Sequence, residues 1–320
     1  MFVTFWTRHE FISFKQCDEH CSRVFVSDGH QKPDRLVCSF DNVCDASIDE
    51  LGPILLGCPE TPTRDKNNEQ KRTKFYCEKH RLLFNANEDT ILSSSLLSGS
   101  ALERPIYENQ TIQQKALILE EEDNQFIEKS DQCNVHRDGM EARSKLSSYG
   151  FVATFLNCGI IIGFDEQPRS EGIRRLLRHL IRIKRYGPLP SAIMYDTACT
   201  LRLFMDKWYE TEHFKKSEHS TFFKTMYLAI DRFHIKNHRR EICKNKMNPD
   251  IGENIPVYQN IHSQVCEQMF SYFTNFKNIL KSFSYPKSTI FYIILFHLKN
   301  CATCGISPGH YGLASSVVKE

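Results

Sequence analysis

From about residue 149 onward, short apolar β-rich runs alternate with segments of helical periodicity. The first two runs, GFVATFLNCG and IIIGFDE, meet at Cys158-Gly159, and this spacing predicts a β-hairpin. The next segment, SEGIRRLLRHLIRIKRYGP, has apolar residues at helical spacing and is ended by Gly187-Pro188. Two further strands are predicted in SAIMYDTAC and TMYLAIDRFH, and three further helices in TLRLFMDKWYE, residues 263–280 and residues 288–299. Such alternation favours a sheet covered by helices.

A β-rich run also precedes this region, at residues 23–28, and the turn signal Asp28-Gly29 stops it. The order is then strand, insertion, strand, strand, helix, strand, helix, strand and helices. This order predicts an RNase H-like α/β fold, in which a mixed sheet is flanked by helices. We expect the following divisions: an N-terminal remnant (1–22), the core (23–37 and 131–300), a small Cys-rich zinc-binding insertion (38–84), a flexible acidic insertion (85–130) with a candidate helix near 110–122, and a C-terminal tail (301–320).

The composition is that of an ordinary soluble globular protein. Of 320 residues, 41% are hydrophobic and 25% are charged. No apolar run approaches the roughly 18 residues that a membrane span needs, and the N-terminus MFVTFWTRHEF lacks the basic region and cleavage site of a signal peptide. Thirteen cysteines in such a chain favour reduced thiols, some of them metal ligands, over a disulfide framework.

Three acidic residues that are far apart in sequence are candidates for one catalytic site. Asp28 and Asp196 each end a predicted strand, and Glu267 lies on a later helix, off its apolar stripe. Strands that are neighbours in the sheet would bring the first two together. Three carboxylates at one rim suit Mg²⁺ or Mn²⁺. A simpler interpretation also accounts for two of them, since Asp-Gly is a common turn and Asp196 can cap the helix that follows it.

Four strings resemble motifs of the Kyakuja–Dileera–Zisupton (KDZ) transposases, and more narrowly of their animal relatives that carry a cysteine cluster. The strings are DGHQK, MYDTAC, DRFHIKNH and NIHSQVCEQMFSYF. They match an early Asp-Gly strand with a basic residue at Asp28-Gly29 and Lys32, Tyr-Asp-x-x-Cys at Tyr195-Asp196 and Cys199, Phe-His-x-x-x-His at Phe233-His234 and His238 with Cys243 beyond, and Glu-Gln at Glu267-Gln268. The resemblance covers about residues 23–300.

The resemblance implies a DDE-type DNA transposase, located in the nucleus, that cuts and joins DNA with Mg²⁺ or Mn²⁺ held by Asp28, Asp196 and Glu267. The chain departs from the family at Ser263-Gln264, where Gly-Glu is usual, and it has no obvious separate DNA-reading module. The alternative function is a domesticated, inactive, zinc-stapled module that binds DNA or a protein. Asp131 competes with Asp28 as the first ligand, because it also precedes a region of paired strands.

A cluster of cysteines predicts a zinc site in the residues that follow the first strand. Cys77-x2-His80 is a compact metal half-site, and we choose Cys38 and Cys58 over Cys44 to complete four ligands. A stretch this polar has too little core to fold without a staple; a loop of free thiols is the alternative. Cys17 and Cys21 are further candidates for a site, and Cys301 and Cys304 form a half-site without an evident partner pair.

Two basic stretches suggest contact with the DNA backbone, although the default for such runs is a solvated helix face. They lie at residues 169–185 and 224–246. The residues chosen as DNA contacts are Arg174, Arg175, Arg178, Arg182, Lys236, Arg239 and Arg240. Three roles are open for His234, His238 and Cys243: ligation of a metal, contact with DNA, or a purely structural role. A structural role is the commoner outcome for a histidine. DNA is the expected partner, no membrane is expected, and homo-oligomerisation stays open.

Overall fold

A five-stranded mixed sheet forms the centre of the computed structural model. The structure describes residues 1–12, 17, 21, 23–30, 35–40, 42–63, 76–81, 103–130, 133, 148, 150–168 and 172–309. The strands are β1 (Phe25–His30), β2 (Cys44–Asp45), β3 (Ile54–Leu55), β4 (Gly150–Leu156), β5 (Ile161–Gln167), β6 (Ala192–Tyr195) and β7 (Tyr227–Ala229). The large sheet has the order β5-β4-β1-β6-β7, while β2 and β3 form a separate pair.

Strand β1 joins an antiparallel half of the sheet to a parallel half. It is antiparallel to β4 and parallel to β6, and its register with β6 pairs Ser27 with Tyr195. Strands β4 and β5 form the predicted hairpin, whose turn contains Gly159 at φ +83°. Strand β7 adds in parallel to β6. Strands β1, β5, β6 and β7 therefore run in one direction, and β4 alone runs against them.

Helices cover both faces of this sheet. They are α1 (Phe2–Trp6), α2 (Glu103–Ser130), α3 (Ile173–Tyr186), α4 (Ala198–Trp208), α5 (Glu218–Thr225), α6 (Glu241–Asn245), α7 (Ile255–Tyr258), α8 (Val265–Thr274), α9 (Lys277–Ser282) and α10 (Lys287–Cys304). Because strand side chains alternate between faces, Phe25 and Ile193 pack with helix α3 on one side, and Val26 and Met194 pack with α8 and α10 on the other. The predicted mixed α/β sheet flanked by helices is confirmed.

The acidic segment before β4 forms a longer helix than the sequence predicts. Helix α2 has 28 residues, where we expected a flexible insertion with a candidate helix near 110–122; residues 85–102 lie outside the described part of the chain. Ala116, Leu119 and Asp123 are buried and share one helix face, since three- and four-residue spacings repeat along it. On this face Glu120 contacts Arg175 of α3, with 2.6 Å between the Oε1 and Nη2 atoms.

A buried histidine connects α3 to the sheet and makes stability depend on pH. His179 Nε2 hydrogen-bonds Thr154 Oγ1 at 2.8 Å, and Thr154 Oγ1 hydrogen-bonds Ser27 Oγ at 2.8 Å. Burial lowers the pKa of His179 to about 3, against roughly 6.5 in an unfolded chain. The unfolded state therefore binds the extra proton first as the pH falls below 6.5, and the folded state loses about 1.4 kcal/mol per pH unit from this residue.

We expect His179→Gln to weaken this dependence, because the amide can keep a hydrogen bond to Thr154 without titrating. Between pH 7 and pH 5 the wild type should lose about 2 kcal/mol more stability than the variant does. Urea unfolding at the two pH values measures the difference. Equal pH slopes in the two proteins would contradict this expectation, because they would mean that His179 has the same pKa in the folded and unfolded states.

Candidate metal centres

The pairing of β1 with β6 brings two acidic residues together. Strand β1 continues to His30, so Asp28 lies inside the strand and does not end it as the Asp-Gly turn signal predicted. Asp28 follows Ser27, Asp196 directly follows Tyr195 of β6, and Ser27 and Tyr195 are paired in register. Backbones of neighbouring strands lie about 4.8 Å apart, so Asp28 and Asp196 lie side by side. Alternation along β1 places Asp28 on the same face as Val26, which is the face that α8 covers.

Glu267 lies in the first turn of α8, beside a second acidic residue that the sequence analysis did not select. Asp231 follows β7 and is buried. A carboxylate oxygen from each of Glu267 and Asp231 and a ring nitrogen of His234 all lie within 4.8 Å of one another. His234 Nδ1 is also 3.8 Å from Asp196 Oδ1. Asp231 follows the end of β7, which lies next to β6 and parallel to it. The position of a residue after a strand therefore also identifies Asp231, once the strand order is known.

The pKa values show that these groups share one electrostatic environment. The hydrogen bond to Asp231 raises the pKa of His234 to about 9, and the charges of Asp196 and Asp28 act in the same direction. Burial raises the pKa of Glu267, and the neighbouring charge of Asp231 adds to this effect while His234 opposes it. At neutral pH, His234 is therefore a cation among four carboxyl groups.

Two oxygens of this acidic group are buried without a hydrogen-bond partner in the structure. They are Asp196 Oδ1 and Glu267 Oε2. A buried acceptor that lacks a partner costs roughly 1–3 kcal/mol, and more when it is charged. Hard divalent cations favour carboxylate oxygens. The ligand atoms that lie within 4.8 Å of one another come from Asp231, His234 and Glu267, and this group includes neither Asp28 nor Asp196. The rival first ligand, Asp131, lies outside the described residues.

The four residues chosen as zinc ligands in the Cys-rich insertion lie together. Cys38, Cys58, Cys77 and His80 are all buried, with their ligand atoms within 4.8 Å of one another. His80 Nδ1 is 3.4 Å from Cys38 Sγ and 3.2 Å from Cys77 Sγ. Hydrogen bonding with Cys58 lowers the pKa of the Cys38 thiol to about 5, which favours the thiolate that metals bind. Cys44 lies outside this group, with its Sγ 3.6 Å from Asn42 O.

Two further groups of one histidine and three cysteines are assembled from distant parts of the chain. The first contains His9, Cys17, Cys21 and Cys158, and the second contains Cys133, Cys199, His238 and Cys243. In the first, His9 Nε2 lies 3.1–3.3 Å from all three sulfurs. None of the 13 cysteines, all of which are described, forms a disulfide. The several Cys/His groups can bind zinc, as expected from the cysteine content.

The sequence analysis found these two groups only in part. It considered Cys17 and Cys21 as candidates to join a metal site without naming the other ligands, and it favoured a structural role for His238. His9 and Cys158 carry no local signal, because each is isolated in sequence from the other ligands. Cys301 and Cys304 lie in α10, outside the three four-ligand groups of the described residues.

Three arginines expected to contact DNA are instead buried inside the protein, which corrects that expectation. Arg174, Arg175 and Arg178 are each 6% exposed. Their partners are carboxylates of the acidic helix and of strands: Asp123 and Glu120 of α2, Asp45 of β2 and Asp165 of β5. Arginines committed to internal ion pairs present no open surface to a phosphate backbone.

The other four predicted DNA contacts differ in exposure. Arg240 is buried, and its Nη1 atom donates to Cys199 Sγ and Thr200 Oγ1; its burial also argues against a role in DNA contact. Arg182, Lys236 and Arg239 are exposed. Arg182 lies on α3, which packs on the face of the sheet opposite α8. Lys236 lies between His234 and His238 in the sequence, and Arg239 directly follows His238. Both are therefore near the acidic residues that surround His234.

No protein-family model, curated protein or solved structure matches this chain. Within the described residues, no helix is both long enough and apolar enough to cross a membrane.

Proposed function

We propose that this chain has an RNase H-like core and acts as a transposase-like nuclease, cleaving and transferring DNA strands with divalent metal ions. The observation that carries this proposal is the register of β1 with β6. It places Asp28 one residue beyond the Ser27–Tyr195 pair and Asp196 directly after β6, with Glu267 on the helix that covers this face of the sheet. The sheet order supports it, because a three-stranded antiparallel half followed by parallel strands and helices agrees with the expected fold.

The acidic residues have distinct tasks in this proposal. Asp28 and Asp196 hold the shared edge of the site, and Glu267 closes it from α8. Bound Mg²⁺ or Mn²⁺ would supply Lewis acidity to the attacking and leaving oxygens of a phosphodiester. Asp231 fixes His234 by accepting hydrogen bonds from the backbone N–H groups of Phe233 and His234 at 2.6 and 3.2 Å. The protonated His234 balances part of the negative charge before metal binds.

Two exposed cations beside the acidic residues are suited to phosphate contacts. Lys236 and Arg239 are exposed and flank His238. Contacts of this kind add affinity without reading sequence, and they weaken as salt rises. DNA is therefore the partner we propose, and a protein that acts on chromosomal DNA would be nuclear.

The test is metal-dependent nicking of a supercoiled plasmid by the purified full chain. We expect nicking with Mn²⁺ and a loss of about 100-fold or more in Asp196→Asn, since even residues that only support metal ligands typically change activity 10–100-fold. Asp206→Asn is the matched control, because Asp206 lies on the next helix and is exposed. Equal nicking by wild type and Asp196→Asn, or nicking that EDTA does not stop, would rule out this mechanism.

A zinc-stapled binding module without nuclease activity is the second candidate. The observation in its favour is the ion pair between His234 and Asp231, because an imidazolium among the carboxylates balances charge without a divalent ion. In that case the folded wild type would bind DNA or a protein partner, and it would show no Mn²⁺-dependent nicking in the same assay.

A further inference from the structure

We propose that Cys133, Cys199, His238 and Cys243 bind one structural Zn²⁺, and that this ion positions Asp196 through the imidazole ring of His238. The zinc site stands independently of the proposed nuclease. The positioning role rests on that function, because it concerns a residue of the acidic site.

The distances within this group suit tetrahedral zinc. Zinc bonds of about 2.3 Å to sulfur and 2.0–2.1 Å to nitrogen imply separations of about 3.8 Å between two sulfurs and about 3.5 Å between sulfur and nitrogen. Cys133 Sγ is 3.6 Å from Cys243 Sγ, and His238 Nδ1 is 3.5 Å from Cys199 Sγ and 3.4 Å from Cys243 Sγ. All four residues are buried.

Hydrogen-bond donors surround two of the sulfurs, and they would stabilise the negative charge of thiolate ligands. The backbone N–H groups of Arg239 and Arg240 donate to Cys133 Sγ at 3.3 and 3.2 Å. The buried guanidinium of Arg240 donates to Cys199 Sγ at 3.4 Å. Three thiolates and one Zn²⁺ carry a net charge of −1, which a buried arginine neutralises.

The four ligands come from segments that meet behind the acidic site. Cys199 lies in the first turn of α4, three residues after Asp196. His238 ends the turn that begins at His234, and Cys243 lies in α6. Cys133 follows α2 and connects the insertion to this region. One ion would thus fix the loop between β6 and α4, which carries Asp196, to the segment that carries His234.

His238 is oriented so that each ring nitrogen faces a different partner. Nδ1 faces the sulfurs, and Nε2 lies 3.8 Å from Asp196 Oδ1. Both Nε2 and this oxygen are buried and make no hydrogen bond in the structure. The Nδ1 atom of His234 also lies 3.8 Å from the same oxygen. Metal-bound histidines usually donate their second N–H group to a carboxylate or carbonyl. With Nδ1 on zinc, Nε2 must carry the proton, and a small approach completes a hydrogen bond to Asp196.

The zinc site is tested by counting zinc in the full chain with two replacements at one position. We expect His238→Ala to contain one zinc ion per chain fewer than wild type, and His238→Cys to match wild type, because a thiolate can replace the imidazole. Cys301→Ser controls for the loss of a buried cysteine outside the groups and should lose no zinc. Equal zinc in wild type and His238→Ala overturns the site.

If His238→Ala does not fold, cadmium NMR decides the same question. In the cadmium-loaded protein, His238→Cys should move one ¹¹³Cd signal from the range of three sulfurs and one nitrogen to that of four sulfurs. An unchanged set of signals overturns the site.

The positioning role is tested with the same His238→Cys variant, which keeps zinc but lacks Nε2. The Mn²⁺ concentration for half-maximal plasmid nicking should rise about 10–100-fold, with zinc content and melting temperature close to those of wild type. An unchanged Mn²⁺ requirement overturns the positioning role and leaves the zinc site intact. Absence of nicking in wild type overturns the proposed nuclease instead, while the zinc counts still decide the site.

Discussion

Replacing Cys77 by serine is expected to unfold the Cys-rich insertion and to release one zinc ion per chain. The only cluster of buried hydrophobic residues centred on this segment consists, within the described residues, of Cys38, Cys58 and Cys77 with three partly buried neighbours. Its two strands, β2 and β3, have two residues each. Ile48, Leu51 and Ile54 of the same insertion pack into the main core, so the ion is expected to stabilise chiefly the part around the four ligands. Structural zinc contributes roughly 10–16 kcal/mol in zinc-finger peptides.

Limited proteolysis with mass spectrometry measures this effect, because cleavage within residues 35–81 should become fast in Cys77→Ser. Cys44→Ser is the matched control, since Cys44 lies in the same insertion and outside the four-ligand group. It should retain zinc and resist cleavage as wild type does. Fast cleavage in both variants, or slow cleavage in both, would contradict a zinc staple at Cys77.

Replacing Arg178 by methionine is expected to destabilise the protein by about 3–5 kcal/mol, because removing one partner of a buried ion pair leaves the other charge buried and uncompensated. Arg178 Nε lies 2.5 Å from Asp45 Oδ2, and its Nη1 atom also contacts Asp165. Methionine would leave both carboxylates without this cation. Burial already raises the pKa of Asp165, and the charge of Arg178 opposes that rise. The ion pair therefore joins the insertion, α3 and the edge strand β5.

Urea unfolding provides the measurement, and Arg182→Met provides the control. Arg182 lies one helical turn further along α3 and is exposed, so its loss should cost less than about 0.5 kcal/mol. Adding Asp165→Asn to Arg178→Met should restore part of the lost stability, because a neutral amide tolerates burial better than a carboxylate. Similar stability for wild type and Arg178→Met would show that the internal ion pairs contribute little.

The sequence indicated Asp28 and Asp196 because each ends an apolar run. In the structure β1 continues past Asp28 to His30, and it is the parallel pairing of β1 with β6 that makes the two positions neighbours. Asp231 was missed for a physical reason. It lies beyond a strand of only three residues, and its neighbourhood depends on the order of strands in the sheet, which no local pattern encodes.

The cysteine groups show the same limit. Cys77 and His80 were found because two intervening residues allow both to reach one ion. Cys133 and Cys199 are 66 residues apart, as the difference of their positions shows, and only the packing of α2 and α4 against the core brings them together. Ligands contributed by separate elements leave no spacing rule in the sequence.

The charge runs were misinterpreted because each was considered alone. The acidic run near residue 120 suggested a flexible insertion, and the basic run near residue 175 suggested a solvated helix face or DNA contact. In the structure they neutralise one another, since Asp123 and Glu120 of α2 contact Arg174 and Arg175 of α3. Runs of opposite sign that lie far apart in one chain are therefore candidates for an internal interface.

The two Cys/His groups built from distant segments close loops that overlap in sequence. One links His9 to Cys158, and the other links Cys133 to Cys243. Residues 133–158 belong to both loops, so with both ions in place the segments between His9 and Cys243 would be cross-linked to one another. Such closures reduce the entropy of the unfolded chain, as cross-links do. With both ions bound, the protein is therefore expected to unfold in a single thermal transition despite its long insertion.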